Sequence, residues 1–157
     1  MSIKACAAVM MGLTLAACTT AGKAPMAYAQ PAAAEPGATE QGPLDILIAR
    51  SAAEHDVPVE LVRRVVKRES NFNPKARNRI YWGLMQIRHD TARSMGYKGP
   101  ATGLLDAETN LRYGVRYLRG AYIVAGGNHD QAVRLYASGY YYHAKRKGLL
   151  KEVGLKR

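Results

Sequence analysis

Residues 57–74 read VPVELVRRVVKRESNFNP, and their pattern decides the fold class. Pro58 followed by Glu60 suits the first turn of a helix, where proline forfeits no hydrogen bond and an acid meets the positive end of the dipole. From there Val62, Val65, Val66 and Glu69 recur at one-face helical spacing, while Arg63, Arg64, Lys67 and Arg68 fall to the sides and back. Asn71-Phe72-Asn73-Pro74 then stops the helix, because asparagine favours turns and a residue before proline is pushed out of the helical region. The expectation is a helix over about Pro58 to Ser70 whose valine stripe ends in a carboxylate. Glutamates at helix ends are more often solvated or ion-paired than catalytic. This one faces a polar loop at a helix terminus, a setting in which partial desolvation raises a carboxyl pKa toward the range of a general acid.

Outward from this stretch the pattern stays helical. Leu44, Ile46, Leu47, Ile48 and Ala52 begin a helix that ends near His55-Asp56. Beyond a loop over Asn71 to Trp82, the segment from about Leu84 to Ser94 reads as a helix closed by Met95-Gly96. Gly99-Pro100-Ala101-Thr102-Gly103 is a break. Asp106 reads as the N-cap of a long helix, with Glu108 in its first turn and Leu111, Val115, Leu118 and Tyr122 as its stripe; Gly126-Gly127 ends it. Asp130 reads as the cap of a further helix carrying Val133, Tyr136 and Tyr140. Alternating strand pattern is lacking, so the expected class is all-α, with at most a short irregular or β excursion around Asn78 to Trp82.

The leader sets the compartment. Lys4 precedes an apolar run through Val9, Met10, Leu13 and Leu15 that is short for a membrane span and suits an export signal over residues 1–17. Leu15-Ala16-Ala17-Cys18 is similar to the lipobox of bacterial lipoproteins, which implies acylation of Cys18 and, with Thr19 following, the outer membrane. Ala27-Tyr28-Ala29 offers a second, lower-ranked cleavage site; both routes lead to the bacterial envelope. Residues 18–43, rich in Ala, Pro and Gly, read as a tether spanning roughly 25 to 30 Å as a coil, and 44–157 as the folded domain. The only cysteines of the 157-residue chain, Cys6 and Cys18, lie in the leader. Disulfides, thiolate catalysis and cysteine metal sites are thereby excluded from the domain, and no cofactor or metal is expected. The formal charge of +11 suits anionic glycan or lipid head groups; export disfavours nucleic acid.

Several ordered blocks carry a resemblance: Glu-Ser-Asn-Phe-Asn-Pro-Lys-Ala at 69–76, Gly-Leu-Met-Gln-Ile at 83–87, Thr91-Ala92, Asn110 with Gly114 and Tyr117-Leu118, and Tyr136 with Gly139. In order and spacing the chain resembles the soluble-lytic-transglycosylase-like domains over roughly Leu44 to Gly148. The resemblance implies a lysozyme-like fold and cleavage of the β-1,4 bond between N-acetylmuramic acid and N-acetylglucosamine in peptidoglycan, leaving 1,6-anhydromuramic ends. It implies Glu69 as acid and then base, with Gln86 and the backbone near Met85 lining sugar subsites. Ser70 would support the acid or the sugar, and Tyr136 would hydrogen-bond near Glu69. Tyr140, Tyr141 and Tyr142 are candidates to stack on sugar faces, though three consecutive helical residues diverge too far for all to do so. The other acids, Asp90, Asp106, Glu108 and Asp130, read as helix surface, cap, first turn and cap. Expected partners are peptidoglycan strands, a membrane through the lipid anchor, and secretion-apparatus or wall-remodelling proteins. Two alternatives stand beside this reading: a lysozyme-type hydrolase and a noncatalytic glycan-binding or assembly module.

The chain departs from the family pattern at Ala137, where an asparagine is usual, and at Asn78, where serine is usual. Bulky Ile80-Tyr81-Trp82 replace small residues, and the proline frequent after the Gly-Leu-Met-Gln segment is absent at Arg88-His89. All of these changes fall around the expected cleft.

Overall fold

A computed structural model describes residues 42–155. The expected signal segment, Cys18 and nearly all of the tether lie outside the described residues. Six α-helices surround a minimal antiparallel sheet: α1 (Pro43–Glu54), α2 (Val59–Ser70), β1 (Arg77–Asn78), β2 (Tyr81–Trp82), β3 (Ile87–Arg88), α3 (His89–Ser94), α4 (Ala107–Val124), α5 (His129–Ser138) and α6 (Tyr141–Arg146), with a 3₁₀ turn at Ala101–Leu105. The predominantly helical class is as expected.

Helix α4 is the central strut, packing against α1, α3 and α5. Its Leu111, Val115, Leu118 and Ala121 meet Ile48 of α1, Ala132 of α5 and the stripe of α2, and all are fully buried. Val62, Val65 and Val66 of α2 show no exposure at all. At about 1.5–3 kcal/mol for each buried side chain of this size, the stripe anchors the helix that carries Glu69. A smaller cluster of Trp82, Ile87, Ala92 and Leu104 fills the space under the sheet.

Asp106 caps α4 as expected, its side chain accepting from the Thr109 N–H at 2.8 Å. The next cap is a correction. Asn128, not Asp130, caps α5 by accepting from the Gln131 N–H at 2.9 Å. Asn128 holds the extended backbone a cap needs, whereas Asp130 is already in the first turn and pairs with Arg64 of α2 at 2.6 Å.

A second correction concerns the expected helix over Leu84 to Ser94. Only His89–Ser94 is helical; Gly83 to Gln86 form a tight turn, and Ile87–Arg88 supply a third strand. Gly83 and Gln86 both hold positive φ, 67° and 45°, which breaks any continuous right-handed helix. The bond that makes this conformation possible comes from far along the chain. Buried Asn110 of α4 accepts the Met85 N–H on Oδ1 at 2.8 Å and donates through Nδ2 to the Trp82 and Leu104 carbonyls at 2.8 and 2.7 Å. A Cβ at Gly83 would fall on the Asn110 amide and the Leu104 carbonyl, so only glycine fits. Gly114, one turn beyond Asn110, leaves room for Met85, whose Sδ lies 2.6 Å from where a Cβ would stand.

Asn110→Ala is expected to destabilise the domain by about 3 kcal/mol or more, since one buried N–H and two buried carbonyls lose their partner. Urea denaturation followed by circular dichroism checks this; a loss under about 1 kcal/mol would contradict the assigned role.

Candidate active site

Glu69 occupies the last turn of α2, one turn beyond Val65 and Val66. The helix stops because Asn71 takes a left-handed conformation, φ 50°, with its N–H donating to the Lys67 carbonyl at 3.1 Å. Phe72 follows at φ 63°, a rare state for a bulky residue that costs on the order of 1–3 kcal/mol. Its ring packs against the main core, which holds the strained turn in place. The Glu69 side chain is 22% exposed and stands 3.7 Å from Arg68 Nε. Burial pushes the Glu69 carboxyl above its ordinary value, and the Arg68 guanidinium pulls it partly back.

The Gly83–Gln86 turn is linked to the neighbourhood of Glu69 through Tyr136. The Tyr136 hydroxyl donates to the Met85 carbonyl at 2.7 Å, fastening α5 to the turn. Tyr136 lies near enough to Glu69 to feel its charge, while its hydrogen bond goes to Met85. Burial, then the nearby Glu69 charge, push the Tyr136 phenol well above its ordinary range, so it stays a neutral donor. Gln86 donates from Nε2 to the Gly83 and Ala76 carbonyls at 2.8 and 3.2 Å, which turns its amide oxygen into the free end of the side chain.

A cavity of about 390 Å³ opens between this turn and the end of α5. Its wall includes Gln86, Tyr136, Ala137 and Gly139 together with Tyr81, Arg88, Asp90, Thr91 and Tyr117. Glu69 is not part of that wall; it connects to it through Tyr136. A larger hollow of about 580 Å³ is lined by Tyr141, Lys145, Leu150 and Lys151 among others, and none of the described residues lining it is acidic.

The expected site residues divide. Gln86 and Tyr136 are on the cavity wall. The Met85 side chain is fully buried in the core, so only its backbone belongs to the turn, and both backbone groups are engaged, with Asn110 and Tyr136. The Ser70 hydroxyl donates back to the Val66 carbonyl at 3.2 Å, a helix-terminal bond rather than one to Glu69. Tyr140 is a correction: at 1% exposure it is core, not a sugar platform. Helix α5 ends at Ser138 and Gly139 turns the chain at φ 84°, which takes Tyr140 off the helical face that carries Val133 and Tyr136. There it packs on Tyr117, ring centres 4.7 Å apart, and Tyr117 meets Tyr136 edge-on at 5.4 Å. Tyr140 thus supports the cavity from behind. Of its neighbours, Tyr141 and Tyr142 are exposed.

Asp90, expected as plain helix surface, lies on the cavity wall. Arg88 grips it with two parallel hydrogen bonds, the Nε one at 3.0 Å, and the Thr91 N–H adds a third at 2.7 Å. These hold the Asp90 carboxyl below its ordinary range. It is thus kept ionised and occupied, unsuited to donate a proton or to hold an attacking water. The alternation Arg88-x-Asp90 at a strand-to-helix junction is the signal in the sequence that marks this pair.

The transglycosylase SLT domain family matches residues 46–154. The soluble lytic murein transglycosylase of Escherichia coli strain K12 is 32% identical over 103 residues, covering 60% of this chain and 15% of that protein. Its counterpart in Escherichia coli O157:H7 matches to the same degree. Among solved structures, the 70 kDa soluble lytic transglycosylase of Escherichia coli superposes with a TM-score of 0.57 at 27% identity, over 69% of this chain and 18% of that one. The chain therefore spans about 15% of the length of these curated relatives.

Two tyrosine variants separate site from scaffold. Tyr136→Phe strips the Met85 carbonyl of its buried donor and is expected to cost about 1–3 kcal/mol. Tyr140→Phe removes a buried hydroxyl that has no partner among the described residues, and is expected to be neutral or stabilising. Thermal melts of both variants check the contrast, and equal losses would contradict it.

Proposed function

The chain belongs to the transglycosylase SLT domain family, and from that premise we propose that it is a peptidoglycan lytic transglycosylase with Glu69 as its single acid and base. The observation that carries this reading is the half-buried Glu69 carboxyl with its raised pKa, standing near neutral Tyr136 beside a cavity whose one wall carboxylate among the described residues is bound up with Arg88.

The chemistry needs one titrating carboxyl. Glu69 protonates the glycosidic oxygen as the bond to the muramyl C1 breaks, and the substrate's own acetamido oxygen closes on C1 to take up the positive charge. The Glu69 carboxylate then receives the proton of the muramyl C6 hydroxyl. That oxygen attacks C1, the acetamido bond opens, and a 1,6-anhydro ring forms without consumption of water. Substrate assistance of this kind replaces the second carboxylate of ordinary glycoside hydrolysis. Gln86 and Tyr136 are positioned to orient the sugar, Gln86 through its free amide oxygen.

The same proposal extends to the leader. Cys18, acylated at the Leu15-Ala16-Ala17-Cys18 motif, would anchor the domain in the cell envelope, at the outer membrane, with the tether holding it over the wall. Metabolic labelling with palmitate is expected to mark the wild-type chain and not Cys18→Ala; equal labelling would overturn the anchor.

Purified peptidoglycan digested by the protein is expected to yield anhydromuramyl products by mass spectrometry, with Glu69→Gln slower by at least about 10²-fold. Reducing muramic ends would indicate the hydrolase instead, and wild-type binding without cleavage the noncatalytic module. The protonated acid is needed first, so kcat/KM falls as pH rises through the Glu69 pKa. Arg68 favours the ionised form; Arg68→Gln is therefore expected to move the falling limb to higher pH.

A further inference from the structure

Adjoining the Tyr136 cavity, with which it shares Arg88 and Asp90, lies another hollow, of about 420 Å³, also lined by Arg77, Arg79, Ile80, Trp82 and His89. The Arg88–Asp90 pair borders both hollows, so it forms the ridge between them. Three guanidinium groups meet one carboxylate here, and Arg88 already neutralises that carboxylate. Arg77 and Arg79 make no ion pair among the described residues, and the hollow keeps their positive charge.

Both arginines are placed by backbone and ring contacts rather than by acids. The Arg77 guanidinium carbon lies 4.3 Å from the centre of the Trp82 ring, a cation–π contact that holds the group beside the hollow. Arg79 opens the two-residue turn between β1 and β2 at φ 54°, a position that glycine would occupy without strain. Here the turn carries a charged side chain at a backbone cost, beside an exposed Ile80. An observed strain of this kind points toward a role for the residue.

We infer that Arg77 and Arg79 form a subsite for a carboxylate of the peptide attached to the substrate's muramic acid. This deepens the proposed function and rests on it: a glycan strand seated beside Tyr136 carries its lactyl peptide over the Arg88–Asp90 ridge into the arginine hollow. Guanidinium groups match carboxylates with paired hydrogen bonds, and Ile80 offers an apolar contact for the peptide's alkyl parts.

Trp82 is the chain's single tryptophan and lies under Arg77, so its fluorescence reports this hollow without any cleavage. The full chain is titrated with the soluble tetrapeptide alanyl-γ-glutamyl-diaminopimelyl-alanine and with the same peptide amidated at its carboxyls. A saturable, salt-sensitive change in emission with the free acid is expected, at least about tenfold weaker in Arg79→Gln and with the amidated peptide. Arg79→Gly relieves the backbone strain, so it is expected to melt no lower than wild type while losing the peptide response, which separates binding from folding. On peptide-bearing strands Arg79→Gln is expected to raise KM with kcat kept; on strands stripped of peptide it is expected to match wild type. An unchanged response in the arginine variants, an equal response to the amidated peptide, or no response in wild type overturns the subsite. Peptide binding without anhydromuramyl products would instead overturn the catalytic reading, so the two failures are told apart.

Discussion

The side-chain amide of Asn110 is the constraint on which the site depends. Fully buried on the central helix, it meets the Met85 N–H of the turn and the carbonyls of Trp82 at the end of β2 and Leu104 in the 3₁₀ turn. An unpaired polar group at that depth costs as much as a hydrogen bond is worth, so the turn and the amide hold each other in one geometry. From this lock the placement runs outward. Met85 is pinned by its N–H, its carbonyl takes the Tyr136 hydroxyl, and Tyr136 brings α5 to the end of α2 where Glu69 stands.

Glu69 reaches that point by a different force. Three valines with no exposed surface press α2 into the core, and the helical repeat delivers the carboxylate one turn later at the rim. The rim is dry enough to disfavour the ionised form. Because its folded-state pKa lies above the ordinary 4.5, what Glu69 contributes to stability is full below that value and is lost as pH rises through the folded pKa. Together with the left-handed Asn71 and Phe72, this places strain and unfavourable charge at one helix end. The hydrophobic stripe beneath it is strong enough to tolerate the cost.

Electrostatics then separates the roles of two carboxyl groups. Burial shifts the Glu69 carboxyl above its ordinary value, whereas Arg88 and the Thr91 amide hold that of Asp90 below it. The only carboxylate that the described residues place on the cavity wall is thus the ion-paired one, and Glu69 stands apart from that wall. The bulky Ile80-Tyr81-Trp82 run, a departure from the family pattern, becomes intelligible in the same frame. Trp82 fills the space under the sheet and supports Arg77, Tyr81 lines the cavity, and Ile80 is exposed at the turn.

What the amino-acid sequence determined by itself was the local part: the helical class, the extent of α2 with Glu69 at its end, the Asp106 cap and the glycine stops. These follow from periodicity and capping, which act over a few residues and are written where they act. Asn110 and Gly114 were visible as parts of a family pattern, but not as a lock. Only the tertiary structure decided that Gly83 to Gln86 form a turn rather than the start of a helix, that Ile87–Arg88 become a strand, and that Tyr140 turns inward. Each of these outcomes rests on a partner distant in the chain, as with Met85 and an amide 25 residues away. A group whose conformation is set by a remote hydrogen bond or a remote packing surface carries no local signal of it, because the free energy that selects it exists only once the helices have met.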